Sequence, residues 1–360
     1  INGGGLKFDY FAPNEKHRLT LYTSAQHTDR DSYYGSKKDL NAYGKTTDLT
    51  FIGGSQYVYS FDKCLFMPAD LTAGLEYNRD NLKDDMWGYN RYTKQTVNIG
   101  SAFFQNEWKN EKWSILLGGR LDKHNLINHV IFSPRANLRF NPTQDVNLRL
   151  SYSSGFRAPQ AFDEDLHIEN VGGTVSMIER AKNLKEEKSQ SFSASADMYH
   201  RFGAFQVNFL VEGFYTKLSD VFVLENIGER DGILIKERRN GSGAKVLGLS
   251  MEGKMAYLSL FQLQAGVTLQ QSRYDEPEKW SETAPAQKKI FRTPNTYGYF
   301  TATYPPVKPL SVSLSGTYTG SMLVQHMAGY IKNDIAVNTR DFFDMGVKLA
   351  YDFKLYKTID

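Results

Sequence analysis

The sequence is short of most features that mark a familiar soluble or helical membrane protein. Only one cysteine, Cys64, occurs in 360 residues. An internal disulfide and any cysteine-based metal centre are therefore excluded within the chain. Neither charge sign dominates, with 43 basic against 40 acidic residues, which argues against a nucleic-acid partner. No window of eighteen apolar residues occurs, so no transmembrane helix is expected. No basic-then-apolar leader opens the chain either, and a signal peptide is expected upstream or already removed. Proline is modest at 11 residues.

Aromatic residues and period-two alternation are what the sequence has in abundance. Phe and Tyr number 23 and 22, with 4 Trp. From Phe205 to Thr216, Phe205, Val207, Phe209, Val211 and Tyr215 alternate with Gln206, Asn208, Glu212 and Thr216. From Phe261 to Gln270, Phe261, Leu263, Ala265, Val267 and Leu269 alternate with Gln262, Gln264, Thr268 and Gln270. The same rhythm returns at Leu71–Asn78, Ile115–Asp122, Val146–Ser153, Leu247–Tyr257, Leu310–Thr319 and Met345–Phe353. Alternation makes one face of a strand apolar and the other polar. Runs of about ten residues exceed the usual soluble strand and match a tilted bilayer crossing. An apolar outside around a polar inside is the pattern of an all-β, transmembrane antiparallel β-barrel.

The connections alternate in length as well. Short turns lie near 62–69, 108–112, 141–145, 201–204, 257–260 and 304–309. Long polar segments lie near 29–45, 80–93, 157–188, 218–243, 272–294 and 320–341, with a shorter one at 124–129. Antiparallel strands send every second connection to the same side, so one rim is trimmed and the other elaborated. Trp108, Trp113, Phe140, Phe202, Phe205, Tyr257, Phe261 and Tyr304 border the short turns, as an interfacial aromatic belt would. About fifteen strands are expected across residues 1–360. The openings Ile1-Asn2-Gly3-Gly4-Gly5 and Tyr356-Lys357-Thr358-Ile359-Asp360 read as continuing strands, so a fragment with both ends incomplete is expected.

Three segments carry a resemblance. Ser133-Pro134-Arg135-Ala136-Asn137-Leu138-Arg139-Phe140 comes first. Asn147-Leu148-Arg149-Leu150-Ser151-Tyr152-Ser153-Ser154-Gly155-Phe156-Arg157-Ala158-Pro159 follows it. Asn183-Leu184-Lys185-Glu186-Glu187-Lys188-Ser189 then opens a new strand. In this order the chain resembles the barrel of TonB-dependent outer-membrane receptors. The resemblance marks Phe156, Arg157, Ala158, Pro159, Asn183, Leu184 and Glu187 as family motif residues. It implies part of a 22-stranded barrel in the outer membrane of a Gram-negative bacterium, with the plug domain not in this chain. It implies receptor function: energy-coupled import of a large scarce solute, such as an iron-siderophore, haem or cobalamin-type metal chelate. The implied partners are outer-membrane lipid, the TonB energy-transducing complex acting through the plug, the transported solute and a surface lipoprotein. No resident cofactor is required, and no reaction is catalysed. A passive porin-like or structural barrel is the alternative. An enzyme would need a nucleophile motif, and none appears among the Ser, His and Asp residues.

Individual residues then divide between sharp and bland readings. Arg157 could hold a loop or plug through paired hydrogen bonds, or form a rim ion pair. Arg120, Arg135, Arg139 and Arg149 fall on the polar face of neighbouring strands, as a basic lumen wall or as ordinary solvated charge. His167 lies between the two motif segments, where haem receptors of the family place an iron ligand; His326 would be its partner, and a solvated loop histidine is the competing reading. Trp87 and Tyr89 belong to an outer aromatic platform or an interface belt. Asp84, Asp85, Asp163 and Asp165 are candidate calcium ligands, as in cobalamin-type receptors of the family, or solvated loop charge.

Overall fold

The computed structural model describes residues 1–34, 42–166, 169–171, 174–258, 260–307 and 309–353. Eight strands open the chain: β1 (Asn2–Phe11), β2 (His17–Tyr33), β3 (Tyr43–Cys64), β4 (Met67–Met86), β5 (Arg91–Lys109), β6 (Trp113–His124), β7 (Val130–Thr143) and β8 (Val146–Arg157). A helical turn α1 (Asp163–Leu166) and the strands β9 (Glu169–Val171) and β10 (Thr174–Arg180) follow. The chain then forms β11 (Glu187–Phe202), β12 (Phe205–Ser219), β13 (Phe222–Arg230), β14 (Ile233–Asn240), β15 (Ala244–Tyr257) and β16 (Phe261–Glu278). Last come β17 (Gln287–Lys289), β18 (Thr296–Val307), β19 (Leu310–Thr319), β20 (Leu323–His326), β21 (Ile335–Asn338) and β22 (Phe342–Tyr351).

Fifteen of these pair in one antiparallel meander: β1 to β8, then β11, β12, β15, β16, β18, β19 and β22. The short strand β17 adds to β16. Among the described residues no pairing joins β22 to β1. The register explains the two faces, because directly opposed residues share a side. Phe205 opposes Tyr257, which opposes Phe261; Val211 opposes Met251, which opposes Val267; Leu138 opposes Leu150, which opposes Ala194. On the other face Ser191 meets Thr216, Ser250 meets Thr268 and Thr303 meets Ser313, each hydroxyl pair at 2.9 Å. One side of the wall is therefore apolar across its width, and the other is laced by side-chain hydrogen bonds.

Aromatic pairs mark the short-turn rim. Trp113 stacks on Phe140 at 4.2 Å, Phe66 on Trp108 at 5.7 Å, and Phe205 meets Tyr257 at 4.6 Å. Trp108 donates its indole N–H to the carbonyl of Cys64 at 3.0 Å, which anchors the turn beside the single, half-buried cysteine. Gly203, at φ +58°, supplies the left-handed step of the tight turn between β11 and β12.

At the opposite rim the sequence expectation needs correction. The segment near 80–93 is not a loop over most of its length, and strands reach into both ends of the segment near 29–45. β3 continues to Tyr43 and β4 to Met86, and only a 3₁₀ turn at Trp87–Tyr89 separates β4 from β5. β4 has 20 residues, which at about 3.3 Å each far exceeds a hydrocarbon layer of about 30 Å. Beyond the apolar band the ladder persists while the outward face turns polar, through Asn81, Lys83 and Asp85. Alternation in hydrophobicity therefore stops before the hydrogen bonding does. Above Arg135–Ser153, β7 and β8 part, and the upper residues of β8 pair only with β11.

The face assignment is testable. Val267 lies on the apolar face, whereas Gln264 contacts Glu252 and Tyr299 on the polar one. Val267→Arg should lower the yield of folded barrel by the equivalent of about 2–4 kcal/mol, while Gln264→Arg should fold almost normally. Equal yields in heat-modifiable gel migration would mean a register shifted by one.

Candidate functional site

The site is built from an elaborated rim and the polar wall beneath it. Two long connections, 158–186 and 220–243, interlock in a four-stranded sheet of order β13-β14-β10-β9. The join is parallel, with Val175 opposite Ile233 and Arg180 opposite Arg238. Met177 and Ile235 from this cap pack on Met86 at the tip of β4, with Tyr34 and Tyr89 around them. Leu82 packs on Ala161 and Leu166. The prolonged β4–β5 hairpin thus supports the cap through its inward residues.

Buried polar contacts fix the cap's position. Arg238 and Asp165 have side chains only 5% exposed, and the guanidinium Nε donates to Asp165 Oδ1 at 2.8 Å. The second oxygen of Asp165 accepts the Phe162 N–H at 3.0 Å. Arg91 donates to Asp84 Oδ2 at 2.8 Å and to the carbonyls of Asp165 and Leu166, while Thr46 donates to Asp84 Oδ1 at 2.6 Å. Gln95 takes the Ala161 N–H at 2.9 Å and also meets Arg180. Asn240 ties both connections together, accepting from the Lys185 N–H at 2.8 Å and donating to the Lys185 and Asp220 carbonyls.

The motif residues meet at the base of this cap. Arg157 stands opposite Glu187 where β8 pairs with β11, and its guanidinium lies 3.8 Å from the Phe162 ring centroid and 5.5 Å from that of Phe222. Glu187 accepts the Phe222 N–H at 2.8 Å. Phe156 and Ala158 pack against Ile127 and Ile131. Pro159 ends the strand, lacking a donor with which to continue it. Leu184 is half-buried and Asn183 is exposed. The two motif segments are one junction in space, and its role here is to turn the chain from wall into cap.

Other candidate residues separate. Trp87 is 59% exposed at the outer tip, while Tyr89 from the same turn packs into the cap core. His326 is exposed at the end of β20. His167 and the side chain of Asp163 lie outside the described residues. Asp84 and Asp165 are each engaged by an arginine, Asp85 lies on the outward side of β4, and no group of three metal-capable side chains occurs among the described residues.

On the wall, Arg120 is neutralised. It bonds Glu76 at 2.8 Å, Ser101 at 2.7 Å and Asp122 at 2.8 Å, and Tyr22 donates to Glu76 at 2.6 Å. Arg135, Arg139 and Arg149 differ: among the described residues none makes an ion pair. Arg139 and Arg149 are directly opposed across β7 and β8, and Arg149 donates to Asn147 Oδ1 at 2.8 Å. Higher up, His124 is fully buried, accepting the Leu126 N–H at Nδ1 (3.0 Å) and donating from Nε2 to Gln160 (3.3 Å). Burial holds its imidazole below the ordinary histidine range, against the pull of Gln160 and Asp122.

The family described as TonB dependent receptor-like, beta-barrel matches residues 2–359, and the chain belongs to it. No curated protein matches the sequence. Among solved structures, the siderophore receptor PirA from Acinetobacter baumannii superposes with a TM-score of 0.72 at 16% identity, over 98% of this chain and 56% of that one. A mutant of the ferric enterobactin receptor PfeA from Pseudomonas aeruginosa gives 0.72 at 15% identity, over 99% and 54%. The ferric-catecholate import receptor Fiu from E. coli K12 gives 0.66 at 12% identity, over 98% and 57%. The chain thus spans little more than half of each.

Two outcomes follow from the cap's polar core. Arg238→Met leaves Asp165 buried without its cation, a loss of about 3–5 kcal/mol, and should expose 158–186 to protease on whole cells while the wall stays folded. Adding Asp165→Leu should recover part of that resistance; no recovery would mean the pair does not hold the cap. For His124 the folded-state value is depressed, so its contribution is present above the unfolded value of about 6.5 and is lost as pH falls below it. Hydrogen-exchange protection around Gln160 should therefore drop between pH 7 and pH 5, and His124→Gln should flatten that dependence.

Proposed function

We propose that this chain forms the greater part of the barrel of an outer-membrane receptor that imports a ferric siderophore, with energy from the TonB complex. The full assembly would be a 22-stranded barrel with a plug inside it, consistent with relatives nearly twice this length. The single observation that carries the substrate class is the set Arg135, Arg139 and Arg149. Three guanidinium groups face the polar side of the wall, and among the described residues no carboxylate pairs with them. Ferric catecholate chelates carry net negative charge, and a basic passage concentrates such solutes and holds them by charge-assisted hydrogen bonds. The names of PirA, PfeA and Fiu point to the same solute class.

The cap supplies the outer side of the passage, and Trp87 presents an exposed ring at its tip, 59% accessible. Aromatic faces suit catechol rings, while the arginines below suit the iron-bound oxygens. Selectivity then resides in the connections, and the wall supplies a general preference for anions.

A strain lacking the gene, grown under iron limitation, should lose growth on a ferric catecholate and regain it with the wild-type gene. Arg139→Gln with Arg149→Gln should lower uptake about tenfold or more, comparable to losing one charged hydrogen bond, at unchanged barrel abundance. Growth of the deletion strain on every ferric chelate tried would refute the siderophore reading.

A further inference from the structure

Above the Arg135–Ser153 pair, the parting of β7 from β8 leaves a slot in the wall. From Val130 to Pro134, β7 pairs with β6 on one side and, among the described residues, with no strand on the other. From Ser154 to Arg157, β8 pairs with β11 alone. Two local causes hold the strands apart. Pro134 has no N–H with which to carry the ladder upward. Phe156 and Ala158 pack against Ile127 and Ile131, which sets an apolar cluster between the two chains.

Between that cluster and the Arg135–Ser153 pair lies a hollow of about 400 Å³. Consecutive residues from His129 to Pro134 line it. Side chains of a strand alternate between faces, so the backbone edge of β7 is itself one wall of the slot. Ser154, Gly155, Ser189 and Gln190 stand opposite. Within 4 Å, a side chain at Gly155 would meet only Ser189 Oγ, at 3.3 Å. Among the described residues the side chains of Ser133, Ser154, Ser189 and Gln190 have no hydrogen-bond partner.

Val130 and Phe132, 55% and 54% exposed, stand at the outward lip and place the bare edge at the upper margin of the apolar band. An unpaired N–H or C=O in hydrocarbon costs several kcal/mol, and an open strand edge is a template for another strand. At the upper mouth His129 and Lys188 share one carboxylate, the buried Glu186, at 3.1 and 3.0 Å. Two exposed donors there meet a single acceptor.

We propose that the slot binds a free short peptide as an added strand, its terminal carboxylate at Lys188 and His129. With the carboxylate at that end the peptide runs antiparallel to β7, the more stable pairing. Main-chain hydrogen bonds supply affinity, as in other strand-addition sites, and the terminal carboxylate sets the register. The length from His129 to Ser133 matches about five residues at about 3.3 Å each. An acyl chain would fill the hollow and answer none of the backbone groups or hydroxyls. The wall of a second barrel cannot enter, because the slot is closed by the Arg135–Ser153 pair below and the Ile127–Phe156 cluster above.

The full-length receptor in non-ionic detergent would be titrated with Thr-Val-Ser-Val-Phe, labelled with fluorescein at its amino end, and followed by anisotropy. The peptide should bind and slow hydrogen exchange across Val130–Ser133. Of the two forms N-methylated at alternate amides, at least one should bind about tenfold more weakly, the equivalent of one lost hydrogen bond. The form with an amidated carboxyl end should also bind about tenfold more weakly, as a charged hydrogen bond is lost. Lys188→Gln should abolish that preference for the free carboxylate. Gly155→Leu should fill the slot and prevent binding; if that variant does not assemble, Ser154→Phe serves instead. The proposal is overturned by equal binding of both N-methylated forms and the parent, by equal binding of the amidated form, or by displacement of the peptide with dodecanoate. Absence of binding at millimolar peptide overturns it as well. Binding is read without transport, so failure of the import reading would leave this result intact.

Discussion

A chain that crosses hydrocarbon must pair every backbone N–H and C=O, because an unpaired group there costs several kcal/mol. The continuous ladder through fifteen strands is the response to that demand. Side-chain chemistry is then free to differ completely between the two faces. Leucines, valines and aromatics can fill one side without forming a core. Serine, threonine and arginine can fill the other without being buried as orphans. The wall and the cap above it both rest on this separation of backbone and side-chain roles.

Where the bilayer constraint ends, the cap is held by different means. Small apolar clusters such as Met86, Met177 and Ile235 supply modest burial. Specific position comes from polar contacts, above all Arg238 with Asp165, and Arg91 with Asp84 and two carbonyls. Such pairs contribute little net stability for their desolvation cost, but they tolerate few alternative arrangements. A cap built this way has a defined shape without a large core. Binding surfaces can therefore be altered at its exposed tips while its supports stay fixed.

The wall was largely legible in the sequence, and the cap was not. Period-two runs such as Phe205–Thr216 and Phe261–Gln270 identified strands and faces because lipid on one side and water on the other imprint the pattern directly. The three motif segments located the junction at Arg157 and Glu187. The upper halves of β4 and β5 escaped notice because both of their faces leave the apolar medium, and periodicity vanishes while pairing continues. Asn240, Gln95 and Arg238 gave no signal at all. Their partners lie far away in sequence, and single polar residues in polar segments look alike until the chain is folded. Of the four wall arginines, only the structure separates the neutralised Arg120 from the unanswered Arg135, Arg139 and Arg149.

The parallel pairing of β10 with β14 has a consequence for assembly. Its two strands come from different connections, separated by the whole of β11 and β12. Neither strand can find its partner until that hairpin has been placed, and the loop so closed is long and entropically costly. Pairings of high sequence separation form late and slowly. The cap is therefore the last part of this region to acquire its structure, completed on the far side of a wall already built. A newly inserted barrel would pass through a period in which its passage stands uncovered.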